Sequence, residues 1–202
     1  MDTILTLVGP SGSGKTTLAN RLIEDYGYTS IVSHTTRPMR KGEKNGIDYY
    51  FITQDEFKTK LENEEFIENI SFNGNMYGVS INEIHTANID GKVPVLIVEP
   101  KGLSQIKIYC QHKGIQVVSI YIGGKREVLI ERILVRELLN TSPTKEQLSS
   151  LSKRLDSLQD ELNTWWRQEY YTKIYPEYNG TSEDTIISEV RELITYLSNK
   201  EK

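Results

Sequence analysis

At 202 residues and 37% hydrophobic content, the chain is long enough to bury a full core as one domain. A formal net charge of −4 with a pI near 5.5 excludes a globally basic surface, so a nucleic acid polymer is not the expected partner. A single cysteine, Cys110, excludes an internal disulfide, and its apolar neighbours place it in or beside a core without chemistry of its own.

The chain opens with "TILTLV", a strand pattern, and runs at once into "GPSGSGKT", residues 9–16, which fits G-x-x-x-x-G-K-[ST]. The helix-like "KTTLANRLIEDYG" follows, with Leu18, Leu22, Ile23 and Tyr26 on one face and Gly27 suited to its C-terminal cap. Gly9, Gly12 and Gly14 let the backbone turn tightly, so that its N–H groups converge on phosphate oxygens at the positive end of the helix. Residues Gly9, Pro10, Ser11, Gly12, Ser13, Gly14, Lys15, Thr16 and Thr17 are therefore expected to hold the phosphates of ATP. Lys15 reaches the β- and γ-phosphates in such a loop, and the Thr16 hydroxyl is the candidate ligand of the Mg²⁺ that accompanies a nucleoside triphosphate.

"TSIVS" reads as a short strand, and residues 33–49, "SHTTRPMRKGEKNGIDY", follow it. Arg37 and Arg40 stand close together in a Pro/Gly-broken loop, with Lys41 beside them and Tyr49 at the next strand. Arginine forks bind phosphate bidentately, and a tyrosine hydroxyl adds a neutral donor, so the cluster suits a second phosphate group. Residues 48–77 then carry strand-like "DYYFIT", a brief helix "DEFKTKLENEEF", and "IENISF" and "MYG" around the turn "NGN", a β-rich insert over the sheet edge. Strands "VPVLIVE" and "IQVVSIYI", separated by a helix near 102–113, resume a parallel pattern. The alternation reads as an α/β fold.

Residues 125–162 carry Arg132, Arg136 and Arg154 on two helices joined by the polar turn "NTSP". Such a pair suits a lid that closes over phosphates and keeps water from the transferring group. His34, His85 and His112 are scattered without ligand spacing, so no metal is expected beyond the nucleotide's Mg²⁺. No charged-then-apolar leader opens the sequence, and the longest apolar run, "VPVLIV", is far too short to cross a bilayer, so a cytoplasmic protein without membrane partners is expected.

"GPSGSGKTT", "SHTTRPMRKGEKNGIDYYF", "EFIENISFNGNMYG" and the "GK" before "VPVLIVE" together resemble the guanylate kinase family, in its order and over most of the chain. The first motif is widely shared; the second and third are much more specific. The resemblance implies a P-loop kinase core with a parallel sheet flanked by helices (about 1–33, 81–124 and 163–202), a small β-rich monophosphate-binding region (about 34–80) and a helical lid (about 125–162), together a single domain over 1–202. It implies phosphorylation of GMP or dGMP by ATP. Arg37, Arg40, Tyr49 and Tyr77 would hold the acceptor's phosphate, Ser33 and Glu68 would face its base, and Lys15, Arg132, Arg136 and Arg154 would be catalytic. Guanine's N1–H and N2 amino donors suit a carboxylate such as Glu68, and a serine hydroxyl can donate to O6.

The chain departs from the family's pattern in several places. Its usual Asp-x-Asp at the end of the third parallel strand is Ile97 and Glu99 here; Glu99 can still accept from guanine or order Mg²⁺-bound water, whereas Ile97 can do neither. Val79 stands where Ser or Thr is common, with Ser80 next to it, and "KIYPEYNG" replaces a Val-Asn-Asp-like segment. Two alternatives therefore stand beside GMP or dGMP: a kinase for another (deoxy)nucleoside monophosphate, modified ones included, and a binding module of this family without turnover. The oligomeric state is left open.

Overall fold

The computed structural model describes residues 3–40, 42–87, 91–138, 144–167, 171–176 and 182–199. Lys41, the turn read at 140–143 and the last four residues of "KIYPEYNG" lie outside the described residues. In chain order the elements are β1 (Thr3–Val8), α1 (Lys15–Tyr26), β2 (Thr29–Ser30), β3 (His34–Thr35), β4 (Tyr50–Phe51), α2 (Gln54–Glu62), β5 (Phe66–Phe72), β6 (Asn75–Ser80), α3 (Ile81–Ala87), β7 (Pro94–Ile97), α4 (Pro100–Lys113), β8 (Gln116–Ile122), α5 (Arg126–Leu138), α6 (Lys145–Thr164), a 3₁₀ turn (Trp165–Arg167), β9 (Lys173–Tyr175) and α7 (Glu183–Asn199).

Among the described residues the strands form two sheets, ordered β2-β7-β1-β8-β9 and β4-β3-β6-β5. In the first, β2 runs parallel to β7 and β8 parallel to β9. β1 is buried throughout, its two threonines included, as befits a strand covered on both faces. The fold is thus α/β, with a mostly parallel sheet flanked by helices.

The chain divides into two compact units, Met1–Thr6 with Arg21–Val117, and Leu7–Asn20 with Val118–Lys202. The first contains the second sheet. Its β5–β6 hairpin turns at Asn73 and Gly74, both in left-handed conformation (φ 49° and 79°), which is what a two-residue hairpin turn demands and what "NG" supplies. A register shift between Phe66 and Glu68 gives β5 one residue more than its partner just before Glu68. Helix α2 begins with a capping box, Thr53 and Glu56 each bonding the other's backbone N–H. It buries Phe57 completely, the ring stacked on Phe66 at 4.5 Å between centroids. His34 packs on Tyr50 and Phe66; burial, reinforced by Lys60, lowers its pKa to about 4, so it serves as a neutral aromatic wall.

Three strands are shorter than expected from sequence. "VPVLIVE" is regular only over Pro94–Ile97. "TSIVS" pairs regularly only at Thr29–Ser30; the Ile31 N–H still reaches the Val95 carbonyl (3.0 Å), and then the chain leaves for β3 in the other sheet. "DYYFIT" is regular only at Tyr50–Phe51.

In the second unit α5 and α6 pack through Leu129, Ile133, Leu151 and Leu158. A capping box between Thr144 and Gln147 starts α6, and α7 buries Ile186, Ile187, Val190 and Ile194 on one stripe. Cys110, on α4 in the first unit, is fully buried, and burial raises its thiol pKa to about 11. Among the described residues no helix is long and apolar enough to cross a membrane.

The packing of Phe57 should be a principal support of the first unit. Phe57→Ala is expected to lower the unfolding free energy by about 3–5 kcal/mol, read from urea denaturation. A loss below about 1 kcal/mol would mean that Phe66 and His34 close over the gap.

Candidate active site

In the second unit, the segment that leaves β1 folds back on itself. Ser13 N–H donates to the Pro10 carbonyl at 3.3 Å, and the Lys15 ammonium donates to the carbonyls of Gly9 and Pro10 at 2.8 Å each. Gly9 is required by space, since a Cβ there would run into the Ile122 carbonyl oxygen. Gly12 (φ 81°) lies against α5, where a Cβ would stand 2.9 Å from the Leu129 carbonyl oxygen. Thr16 and Thr17, in the first turn of α1, are exposed.

Arg132 and Arg136 on α5 and Arg154 on α6 converge on this loop. Arg132 donates to the Gly12 carbonyl (3.3 Å), and Arg154 and Arg136 donate to the Ser11 hydroxyl (3.2 and 3.5 Å). Glu137 pairs with Arg136 at 3.3 Å and approaches Arg154 at 3.9 Å. The Ser11 N–H donates to Glu161 on α6. This unit therefore concentrates positive charge on a glycine-bent turn at the start of a helix, a geometry suited to polyphosphate.

A second anion-binding arrangement lies within the first unit. Arg37 is only 7% exposed; its fork donates to both oxygens of Glu43 at 2.8 and 2.9 Å and to the Pro38 carbonyl at 2.7 Å. Its guanidinium lies 5.4 Å from the ring centroids of both Tyr49 and Phe51. Glu43 also accepts the Arg40 N–H at 2.7 Å, and its carboxyl is held below the ordinary range: burial acts upward and is outweighed by Arg37 and Arg40. Tyr49 and Tyr77 meet edge-on at 6.1 Å. Burial, with Tyr77 beside it, raises the Tyr49 phenol to about 12, so it is a neutral donor at physiological pH.

Ser33 is buried just before β3, and Glu99 occupies the N-cap position of α4 without making a capping hydrogen bond. Glu68 follows the β5 bulge and is 2% exposed. It lies over Gly102 in the first turn of α4, where a Cβ would meet the Glu68 carboxylate. Gln105, one turn further along, accepts the Asn69 N–H (3.1 Å) and donates to its carbonyl (3.4 Å), fixing α4 against β5. Burial raises the Glu68 pKa to about 7, against a hydrogen bond from the Val79 backbone. Val79 is buried, and Ser80 Oγ accepts the Glu83 N–H (3.3 Å) at the start of α3.

No motif legible in the sequence gives a role to Glu43, Gly102, Gln105, Glu137 or Glu161. Glu161 was the most accessible of these, since it follows Arg154 by seven residues and so shares its helix face.

A glycine-bent loop between strand and helix in a mostly parallel α/β fold, with arginines gathered on it and a separate arginine–tyrosine cluster, is the architecture of a P-loop kinase. The sequence model for guanylate kinase matches residues 1–195. A guanylate kinase of Schizosaccharomyces pombe is 45% identical over 105 residues, 51% of this chain and 52% of that relative. Another, of Campylobacter jejuni, is 32% identical over 170 residues, 83% of this chain and 78% of its own. The crystal structure of guanylate kinase from Anaplasma phagocytophilum superimposes with a TM-score of 0.69 at 26% identity, covering 96% of this chain and 85% of that one. The chain belongs to the guanylate kinase family, and by class it is a nucleoside monophosphate kinase.

Because the Glu68 pKa is raised in the fold, the folded protein keeps a proton that the unfolded chain has released. That contribution is fully present below the ordinary value of 4.5 and is lost as pH rises through about 7, a difference of about 3 kcal/mol. Glu68→Gln should therefore gain stability relative to the parent between pH 5 and pH 8 in urea unfolding without ligand. A gap that stays constant with pH would place the Glu68 carboxylate in water.

Proposed function

We propose that this protein transfers the γ-phosphate of ATP to GMP or dGMP, giving ADP and the nucleoside diphosphate. The observation that carries the reading is the buried Glu68 carboxylate in the same unit as the Arg37, Arg40, Tyr49 and Tyr77 cluster. Guanine offers two donors to a carboxylate, whereas adenine opposes it with the N1 lone pair, so a desolvated carboxylate discriminates between them. Ser33 would donate to O6, and Glu99 would accept from the guanine amino group. Arg37 and Arg40 would exchange Glu43 for the acceptor's phosphate, with Tyr49 and Tyr77 as neutral donors.

On the donor side, residues 9–17 would cradle the ATP phosphates, and Lys15 would leave the Gly9 and Pro10 carbonyls for the β- and γ-phosphate oxygens. Arg132, Arg136 and Arg154 would neutralise the charge of the transferring group. The donor set fits Mg²⁺: Thr16 would supply one hard hydroxyl oxygen, with the ATP phosphates and water supplying the others. When bound, Mg²⁺ offsets the negative charge of the polyphosphate. An oxygen of the acceptor phosphate attacks the γ-phosphorus as the bond to the β,γ-bridging oxygen breaks. The attacking group is already an anion at neutral pH, so alignment and charge neutralisation carry catalysis.

Turnover measured over a panel of monophosphates tests the base. GMP or dGMP should outrun AMP and the pyrimidine monophosphates, and Glu68→Gln should reduce kcat/KM for guanine substrates selectively. A loss shared equally by all acceptors, or a pyrimidine preference, would remove guanine and favour the kinase for another base to which Val79 and Ile97 point.

Lys15→Ala tests turnover itself. The expected loss in kcat is at least about 10²-fold with the fold intact by circular dichroism. Undiminished transfer from labelled ATP would exclude Lys15 from the chemistry, and no transfer by the parent protein would leave the non-catalytic binding module.

A further inference from the structure

Glu161 has no part in the chemistry above, yet it is 2% exposed, and a buried carboxylate must be satisfied by donors. One donor is the Ser11 backbone N–H in the phosphate loop, 3.1 Å from Oε2; the other is the Ser157 hydroxyl, 2.7 Å from Oε1. Tyr121 is also close: burial and then the Glu161 charge push its phenol upward. Helix α6 presents Arg154, Ser157 and Glu161 at spacings of three and four residues, which place them along one face. The Ser157 oxygen also lies 3.1 Å from the Arg154 carbonyl, but its one proton goes to the nearer Glu161 oxygen.

Both polar ends of Ser11 are therefore engaged by α6. Glu161 takes its N–H, and Arg154 takes its hydroxyl. We propose that Glu161 is a positioning residue for phosphoryl transfer, fixing residue 11 of the phosphate loop to α6 so that Arg154 is delivered to the loop in one register. The inference rests on the reading that residues 9–17 hold the donor's phosphates. What matters in it is the reach of the Glu161 oxygens, not their charge alone. Glutamine preserves that reach: its carbonyl can accept from Ser11 while its amide donates to the rotatable Ser157 hydroxyl. Aspartate keeps the charge and falls short by one methylene.

The test is steady-state kinetics of the full chain with ATP and GMP varied separately, on Glu161→Gln, Glu161→Asp, Arg154→Ala and the Glu161→Asp/Arg154→Ala double variant. Glu161→Asp is expected to lose about tenfold in kcat/KM for ATP, the effect of one displaced hydrogen bond, with KM for GMP unchanged. Glu161→Gln should stay within about threefold of the parent. In the double variant the aspartate should add little to the loss from Arg154→Ala, because the two act through one contact. A merely structural glutamate would lower the melting temperature of both position-161 variants without separating ATP from GMP.

The proposal is overturned if Glu161→Asp matches the parent, if Gln and Asp lose activity alike, or if the Asp and Arg154→Ala losses multiply. Glu161→Asp may be replaced by Ser157→Ala where it does not fold: that variant frees one carboxylate oxygen, and the same ATP-selective loss is required of it. Lys15→Ala separates the underlying reading: if it too leaves ATP use unchanged, the loop assignment fails instead.

Discussion

Arg37 is buried, and a guanidinium that far from water has to keep an anion within its fork; Glu43 supplies it through two short hydrogen bonds. The same constraint governs the other unit, where Glu137 lies beside Arg136 and Arg154 and the Ser11 N–H is taken up by Glu161. In both units the donors are satisfied by carboxylates of the chain itself. These contacts also fix geometry. The bonds that hold Arg37 set the entry of the loop that follows β3, and the bonds to Ser11 set the outer edge of the phosphate loop. The formal charge of −4 thus conceals two locally cationic arrangements whose counter-charges are built in.

Glu68 obeys the opposite rule. It lies in a place made by the absence of other groups: Gly102 has no side chain, and Val79 offers only its backbone N–H. The bulge in β5 aims the residue there, and Gln105 holds α4 against β5 by pairing with both backbone groups of Asn69. A carboxylate so placed is poorly solvated, hence its upward pKa. Such a group gains most from a partner bringing two donors at once, which is the physical content of base selection under the proposed function.

The phosphate loop was legible in sequence because its glycines, lysine and flanking apolar runs are contiguous, and local chemistry decides them. The "NG" turn was legible for the same reason, since both of its residues adopt positive φ. What escaped depends on register or on distant partners. No pattern marks the bulge before Glu68, and Gly102 has meaning only once β5 lies across α4. Strand β9 is three residues long with a single buried position, too short for periodicity to register, so it owes its existence to pairing with β8. Helix α7 was within reach, for Ile186, Ile187, Val190 and Ile194 repeat at helical spacing within the stretch 163–202 expected to belong to the core. The shortening of "TSIVS" reflects competition: two sheets claim neighbouring residues of one β-prone run.

That competition leaves a tight crossing. Ile31 is bonded to Val95 in one sheet, the Ser33 carbonyl already accepts the Tyr50 N–H beside the other, and only Val32 separates them. The span has no slack, so neither edge can slide along its strand direction without dragging its neighbour. Evolutionary change at this point is accordingly confined to the identity of the side chains: an inserted residue would throw β3 out of phase with both β4 and β6, turning the buried His34 and Thr35 to the opposite faces of their sheet.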